Sequence, residues 1–244
     1  MDEFVESIQL GFYQTFILDD NYMFFVKGIR ITLMVAALAL VLGFILGVLA
    51  AIVRSAHDQQ QSGRRKNPIL GVLNLLAKLY ITVIRGTPTM VQLLIMWFVV
   101  WASARSTEAN LVTCAVVTFG LNSGAYIAEI VRSGIMSIEP GQMEAGRSLG
   151  LSYVTTMRSI IIPQAFKNIL PALGNETITL LKETSIVTVI GLKDLTKGAM
   201  IIQGNTFQAL IPFVAIALIY LAMVMILSFV FGVIEKRLRQ SDHR

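Results

Sequence analysis

The chain has 244 residues, 55% of them hydrophobic and only 14% charged, against about 25% charged in an ordinary soluble domain. With a mean hydropathy of +0.70, no soluble fold could hide that much apolar surface, so a polytopic integral membrane protein is expected and a soluble enzyme, a disordered chain and a nucleic-acid-binding domain are excluded. The net charge of +5 belongs to Lys and Arg kept at cytoplasmic helix ends rather than to a nucleic-acid partner.

In chain order, residues 1–24 form an extracytoplasmic segment. Asp2, Glu3 and Glu6 stand where a cleavable signal peptide would be positive, so the first apolar run is expected to be retained as a span. Phe4, Ile8, Phe12 and Phe16 recur every four residues, the spacing of a short amphipathic helix on the bilayer surface or of a linker with chance periodicity. Uncharged runs at 31–53, 86–104, 109–128 and 209–234 predict four spans. The stretch 168–192 is apolar but carries Glu176, Lys182 and Glu183 with Pro171 and Gly174, and is expected to be a fifth, broken span. Residues 69–84, with Lys78, are expected to lead into the second span, kinked near Pro88, with Lys78 and Arg85 snorkelling to the cytoplasmic face.

Five spans put the termini on opposite sides. Arg54, Arg64, Arg65, Lys66, Arg132, Arg147, Arg158, Lys167, Lys236, Arg237, Arg239 and Arg244 fall on one side, and Lys27, Arg30, Arg105, Lys193 and Lys197 on the other. Twelve against five puts the first set in the cytoplasm, with the N-terminus outside and the C-terminus inside. An odd span count without an internal repeat argues against an inverted-repeat carrier in one chain, leaving any two-fold symmetry to dimerisation.

Chemistry-bearing groups are few. Cys114 lies in an apolar stretch as inert packing, and His57 and His243 lie in polar segments as solvated side chains. No Cys/His cluster has metal spacing and no nucleophile–base–acid set is visible, so no metal, cofactor or catalytic residue is expected. No G-x-x-x-x-G-K-[ST] phosphate loop occurs, so this chain is not an ATP-binding engine.

In the third span Asn122, Tyr126 and Glu129 fall at i, i+4 and i+7 and share a face; such a stripe should meet protein or water rather than lipid. Glu129 reads either as an interfacial partner of Arg132 one turn on or as a ligand, and Asn122, deeper, is the better pathway candidate. A helix starting near Phe166 would carry Glu176 roughly 15 Å deep, near the midplane, where a carboxylate is a functional-site hypothesis. Pro171 and Gly174 would open the backbone there to a cavity. A structural pair of Glu176, or of Glu183, with Lys182 is the alternative.

The longest cytoplasmic loop, 133–167, contains Glu144-Ala145-Gly146, Gly150, Ile160, Ile162 and Pro163. Pro140 suits a first helical turn, Gly150 a left-handed C-cap, and Ser152 the cap of a second short helix ending at Pro163. The product is a helix-turn-helix knuckle. Glu144 and Arg147 share a face, and Leu149, Leu151, Tyr153 and Met157 offer apolar side chains to a partner groove, unless this is an ordinary interhelical loop with a local Glu–Arg pair.

The loop spacing resembles the EAA motif of bacterial ABC-importer permeases, with Gly146 for its second Ala and Ile162 for its Leu. Arg85-Gly86-Thr87-Pro88 with Val91-Gln92-Leu93, Leu121-Asn122-Ser123-Gly124-Ala125-Tyr126, Pro163-Gln164-Ala165 and Gly174-Asn175-Glu176 with Leu181-Lys182-Glu183-Thr184-Ser185 look like the polar amino acid permease branch, over residues 25–238, with 239–244 as a cytoplasmic tail. The resemblance implies an all-α, five-span subunit of the bacterial inner membrane, a homodimer or a heterodimer with a similar permease. It also implies two cytoplasmic ATPase subunits docked on Glu144, Ala145, Gly146, Arg147, Leu149, Gly150, Leu151, Tyr153 and Met157, and a solute-binding protein delivering the amino acid outside. Glu176, Lys182, Asn122, Ser123, Tyr126, Thr87 and Glu129 become the candidate substrate path, Glu176 and Lys182 facing the ammonium and carboxylate of a zwitterion. The rivals are an ion-coupled carrier or channel using Glu129 and Glu176 as proton sites, and a membrane scaffold without a path.

Overall fold

The structure, a computed structural model, describes residues 2–60 and 67–240, with the backbone alone for 2–5, 59, 60, 239 and 240. Arg64, Arg65, Lys66, His243 and Arg244, and the side chains of Phe4 and Arg239, therefore lie outside the described residues. All regular elements among the described residues are helices: α1 (Asp2–Phe16), α2 (Tyr22–Gln60), α3 (Pro68–Arg85), α4 (Thr89–Ile95), α5 (Glu108–Met136), α6 (Pro140–Ser148), α7 (Tyr153–Thr156), α8 (Ile162–Glu183), α9 (Leu195–Thr206) and α10 (Leu210–Gln240). α2, α3, α5 and α10 are long and apolar enough to cross a membrane.

Three sequence expectations change. The uncharged run 86–104 is not one helix: Gly86–Pro88 separates α3 from the seven-residue α4, which widens into a π turn, Met96–Val100, and stops. α3, expected to lead into the second span, precedes that turn as a separate apolar helix of 18 residues. Nor does a second short helix end at Pro163, since the π turn Met157–Ile161 joins α7 to α8 without a break and widens the helix just before the proline that lacks an N–H to bond back. α8 then passes through Pro171, one lost hydrogen bond being small against the 22 residues of the helix. Gly174 makes room rather than opening the backbone: a Cβ there would lie 3.0 Å from Phe231 Cγ of α10.

The chain forms two compact units. The first comprises residues 1–39, 90–119 and 178–227. Its core gathers Phe25, Leu195, Ala199, Ile202, Ala215 and Ile216, each apolar side chain contributing roughly 1.5–3 kcal/mol when fully buried. The N-terminal periodicity is a real helix, not a linker; the Phe16 ring at its end packs tilted against Phe12 (centroids 4.8 Å apart) and Phe25 (5.5 Å), tying α1 to this core. After α8 a 3₁₀ stretch, Thr184–Ile190, ends at Gly191 with φ +89°, and three residues later Asp194 caps α9, its carboxylate accepting from the N–H groups of Thr196 (3.1 Å) and Lys197 (2.9 Å). Leu195 N–H donates to Thr32 Oγ1 of α2 at 3.3 Å. Gly28 permits that approach, since a Cβ there would lie 2.6 Å from Leu195 Cα. Asp194 is wholly buried, and burial pushes its carboxyl up from 3.8 to about 6 against the pull of those N–H donors.

The second unit comprises residues 40–89, 120–177 and 228–244. Its centre is a close crossing of α2 and α5, each bearing two glycines four apart. A Cβ on Gly43 would lie 3.1 Å from Gly124 N, one on Gly47 2.7 Å from Ile127, and one on Gly120 2.6 Å from Leu42. Small residues at this spacing let backbones approach until van der Waals packing carries the association, which the bilayer's apolar solvent would not otherwise drive. α3 closes over the crossing through Ile81, Tyr80 and Ile84 against Ala125 and Ala128, and Tyr80 Oη donates to Leu121 O at 2.5 Å.

Candidate functional site

The knuckle forms as local rules dictate. Pro140 opens α6, and after Ser148 the chain turns through Gly150 at φ +82°. Leu151 N–H donates to Gly146 O at 3.1 Å and Gly150 N–H to Arg147 O at 3.0 Å, the pair of bonds that closes a Schellman C-cap. Ser152 Oγ then accepts from Thr155 N–H at 3.1 Å and starts α7. Gly146, the departure from the motif, is buried against Thr156, whose Cγ2 would lie 2.6 Å from a Cβ at 146. A β-branched residue on one arm has taken the space that alanine would fill on the other. Glu144, Ala145 and Arg147 are exposed, as are Leu149 (82% accessible), Leu151 and Tyr153; Met157 is half-buried at the π turn. Val154, not singled out in the sequence, is also exposed and extends the apolar patch.

The polar stripe of α5 is a second constellation. Asn122 and Ser123 are buried, and Ser123 Oγ donates to Glu176 Oε1 of α8 at 2.8 Å. Two candidates 53 positions apart thus become one hydrogen-bonded pair. α8 begins at Ile162 rather than near Phe166, so Glu176 sits four residues further into its helix than the sequence estimate assumed. Lys182, six positions on in an unbroken helix, is turned about 240° from Glu176, so one helix does not present the two to a common ligand; Lys182 is exposed.

Glu129 is the centre of a charge cluster. Its carboxylate lies 3.2 Å from Arg54, 3.6 Å from Arg85 and 3.7 Å from Arg132, and Arg132 in turn reaches Asp58 at 3.2 Å. The interfacial pairing with Arg132 is present, but Arg54 of α2 and Arg85 of α3 join it, positions 75 and 44 residues away that no local spacing reveals. Arg85 does not simply snorkel: its guanidinium lies 5.2 Å from the Tyr126 ring centroid, a cation–π contact beside the Glu129 pair. Thr87 sits in the exposed turn after α3, donating to Val83 O at 2.9 Å, a bond that closes the helix end. Lys78 is exposed, Cys114 is buried as expected, and His57 is half-buried beside Asp58 rather than solvated. The glycine spacing 43/47 and 120/124 was the missed signal, readable in the sequence as two small-x-x-x-small pairs.

Residues 67–240 match the family described as the binding-protein-dependent transport system inner membrane component. The chain is 39% identical over 215 residues to the glutamine transport system permease protein GlnP of Escherichia coli, covering 88% of this chain and 92% of that one. It is 37% identical over 219 residues to the arginine transport system permease protein ArtQ of Bacillus subtilis, covering 90% and 94%. The crystal structure of an amino acid ABC transporter with histidines matches at a TM-score of 0.77 and 41% identity, over 88% of this chain and 94% of that one. An inward-facing MetNI methionine ABC transporter shares the fold at a TM-score of 0.73 and 17% identity, over 91% and 99%. The chain belongs to the binding-protein-dependent transport family: it is a multi-pass inner-membrane permease subunit of an ABC importer, a class that works with a binding protein and a separate subunit that hydrolyses ATP.

Proposed function

We propose that this permease carries a polar amino acid and that Glu176, held by Ser123, binds the ammonium common to all such substrates. The observation behind the reading is the Ser123–Glu176 bond: a half-buried carboxylate on α8 with one oxygen held by a hydroxyl from the facing helix. Relatives named for glutamine and arginine transport support the substrate class. Asn122, Tyr126 and Thr87 belong to the same proposed path, whereas Lys182, exposed on a different face of α8, is left out of the ammonium site. Glu129, clasped by three arginines, is assigned to the architecture instead, which also disfavours the carrier that would use it as a proton site. The exposed knuckle from Glu144 to Met157 is the docking element for the ATPase. A second permease copy or a similar chain completes the path, two ATPase subunits sit on the cytoplasmic side, and the N-terminus is outside, with α8 as the fifth span.

Glu176→Gln keeps size and hydrogen bonding but removes the charge, so uptake of every substrate should weaken by roughly 1.5–3 kcal/mol at unchanged protein abundance. If Glu176→Gln with Lys182→Met restores both abundance and uptake lost in the single variant, Glu176 is a structural partner of Lys182 and the ligand role is wrong. For orientation, a cysteine at Gln203 should react with an impermeant thiol reagent in intact cells and one at Gln60 should not; the reverse pattern would invert the topology.

A further inference from the structure

In the orientation proposed above, five Lys and Arg lie outside, and three of them line one cavity. Lys27 and Arg30 stand one turn apart on α2 and Lys193 lies in the turn before α9; with Glu108 at the start of α5, Phe24, Ile31 and Gly198 they enclose about 350 Å³. Topology selects against outward cations, so their convergence from distant parts of the sequence is not what independent placement gives. Lys27, Arg30 and Lys193 are exposed and like-charged, and Glu108 offsets only one of them, so the cavity carries an excess of two positive charges that an anion would relieve. The lining is also partly apolar, and it lies where the uncharged run of α2 begins, at Ile31. A concave wall, half polar and half apolar, suits a small group better than a flat protein surface does. At that depth, just above the hydrocarbon, the anion a bilayer itself presents is a phosphodiester.

We propose that this cavity binds the phosphate of a membrane phospholipid headgroup. Lys27, Arg30 and Lys193 surround the phosphate oxygens, Glu108 accepts from a headgroup ammonium or hydroxyl, and Phe24 and Ile31 meet the start of the acyl chains. The leaflet assignment rests on the outward orientation of the N-terminal end of α2; the cavity itself does not.

The test is the thermal midpoint of the purified permease–ATPase complex in a neutral detergent. Four additives are compared at equal concentration: phosphatidylglycerol, phosphatidylethanolamine, a diacylglycerol of the same chains, and inorganic phosphate. Both phospholipids should raise the midpoint by roughly 3 °C while diacylglycerol and inorganic phosphate leave it unchanged. Arg30→Gln with Lys193→Gln should abolish the increment, and Arg105→Gln, which removes an outward charge away from the cavity, should keep it. Should the double variant fold poorly, Lys27→Gln alone should at least halve the increment. Retention of the full increment by these cavity variants overturns the proposal, as does its reproduction by inorganic phosphate alone, which would mean a free-anion site. If the increment is unchanged but the double variant needs more solute-binding protein for half-maximal uptake, the cavity docks an acidic protein surface and the lipid reading is wrong. A cysteine at Lys193 that reacts only from the cytoplasmic side, with the increment intact, would refute the orientation and move the site to the inner leaflet.

Discussion

Two turns in this permease are written in the same local code and end in opposite surroundings. In one, Gly150 at φ +82° is followed by Leu151 and the N-cap Ser152; in the other, Gly191 at φ +89° is followed by Leu192, Lys193 and the N-cap Asp194. A left-handed glycine stops one helix and a side-chain oxygen starts the next in both. Yet Leu149 beside the first is 82% accessible, whereas Leu192 and Asp194 of the second are 1% and 0% accessible. Local sequence decides that a turn forms; what packs against it decides whether it stays exposed or becomes part of the core.

The largest test of that contrast is a pair of truncations. Leu192→Ala should cost roughly 3 kcal/mol, the range for a buried leucine, and lower the amount of folded permease in the membrane. Leu149→Ala should stay within about 0.5 kcal/mol and show its effect only in ATPase retention during purification. Equal stability losses from the two would collapse the distinction.

Next comes pH. The folded-state value of Asp194, about 6, lies above the ordinary 3.8, so the folded protein holds this proton more tightly than the unfolded chain does. The stabilisation is therefore complete below about 3.8 and is lost as pH rises through 6, up to about 3 kcal/mol in all. The thermal midpoint should fall between pH 5 and 7, and Asp194→Asn, which keeps a capping oxygen, should flatten that fall. An unchanged slope in the variant would remove Asp194 from the account. Ser152, on the exposed turn, offers no counterpart.

The glycines sharpen the contrast further. An added Cβ meets nothing within 4 Å at either Gly150 or Gly191, so Gly→Ala at each should cost only the left-handed backbone penalty, about 1 kcal/mol in both turns. Gly150→Ala should nonetheless lose coupled transport, and Gly191→Ala should not, when ATP hydrolysis and uptake are measured together in vesicles. The smallest effect belongs to Ser152→Ala, under about 1 kcal/mol for an exposed cap, detectable as faster hydrogen exchange of α7 amides.

Elsewhere the limits of local reading are equally concrete. Composition required a membrane protein, since no soluble core could absorb that much apolar surface, and the Pro140, Gly150 and Ser152 spacing specified the knuckle, because caps act over three or four residues. Span assignment was harder. Hydropathy counts uncharged residues but does not see that Gly86–Pro88 ends a helix while Pro171 does not.

The sequence by itself determined the class, the helical content and each turn whose hydrogen bonds close within one helical end. Tertiary structure alone decided which charges meet: Glu129 with Arg54 and Arg85, and Ser123 with Glu176. It also decided that Lys27, Arg30 and Lys193 share a cavity. Such groups are joined where helices pack closely: Gly43, Gly47, Gly120 and Gly124 bring α2 against α5, and with it Arg54 to Glu129, while Gly28 against Leu195 brings α2 to the turn that carries Lys193.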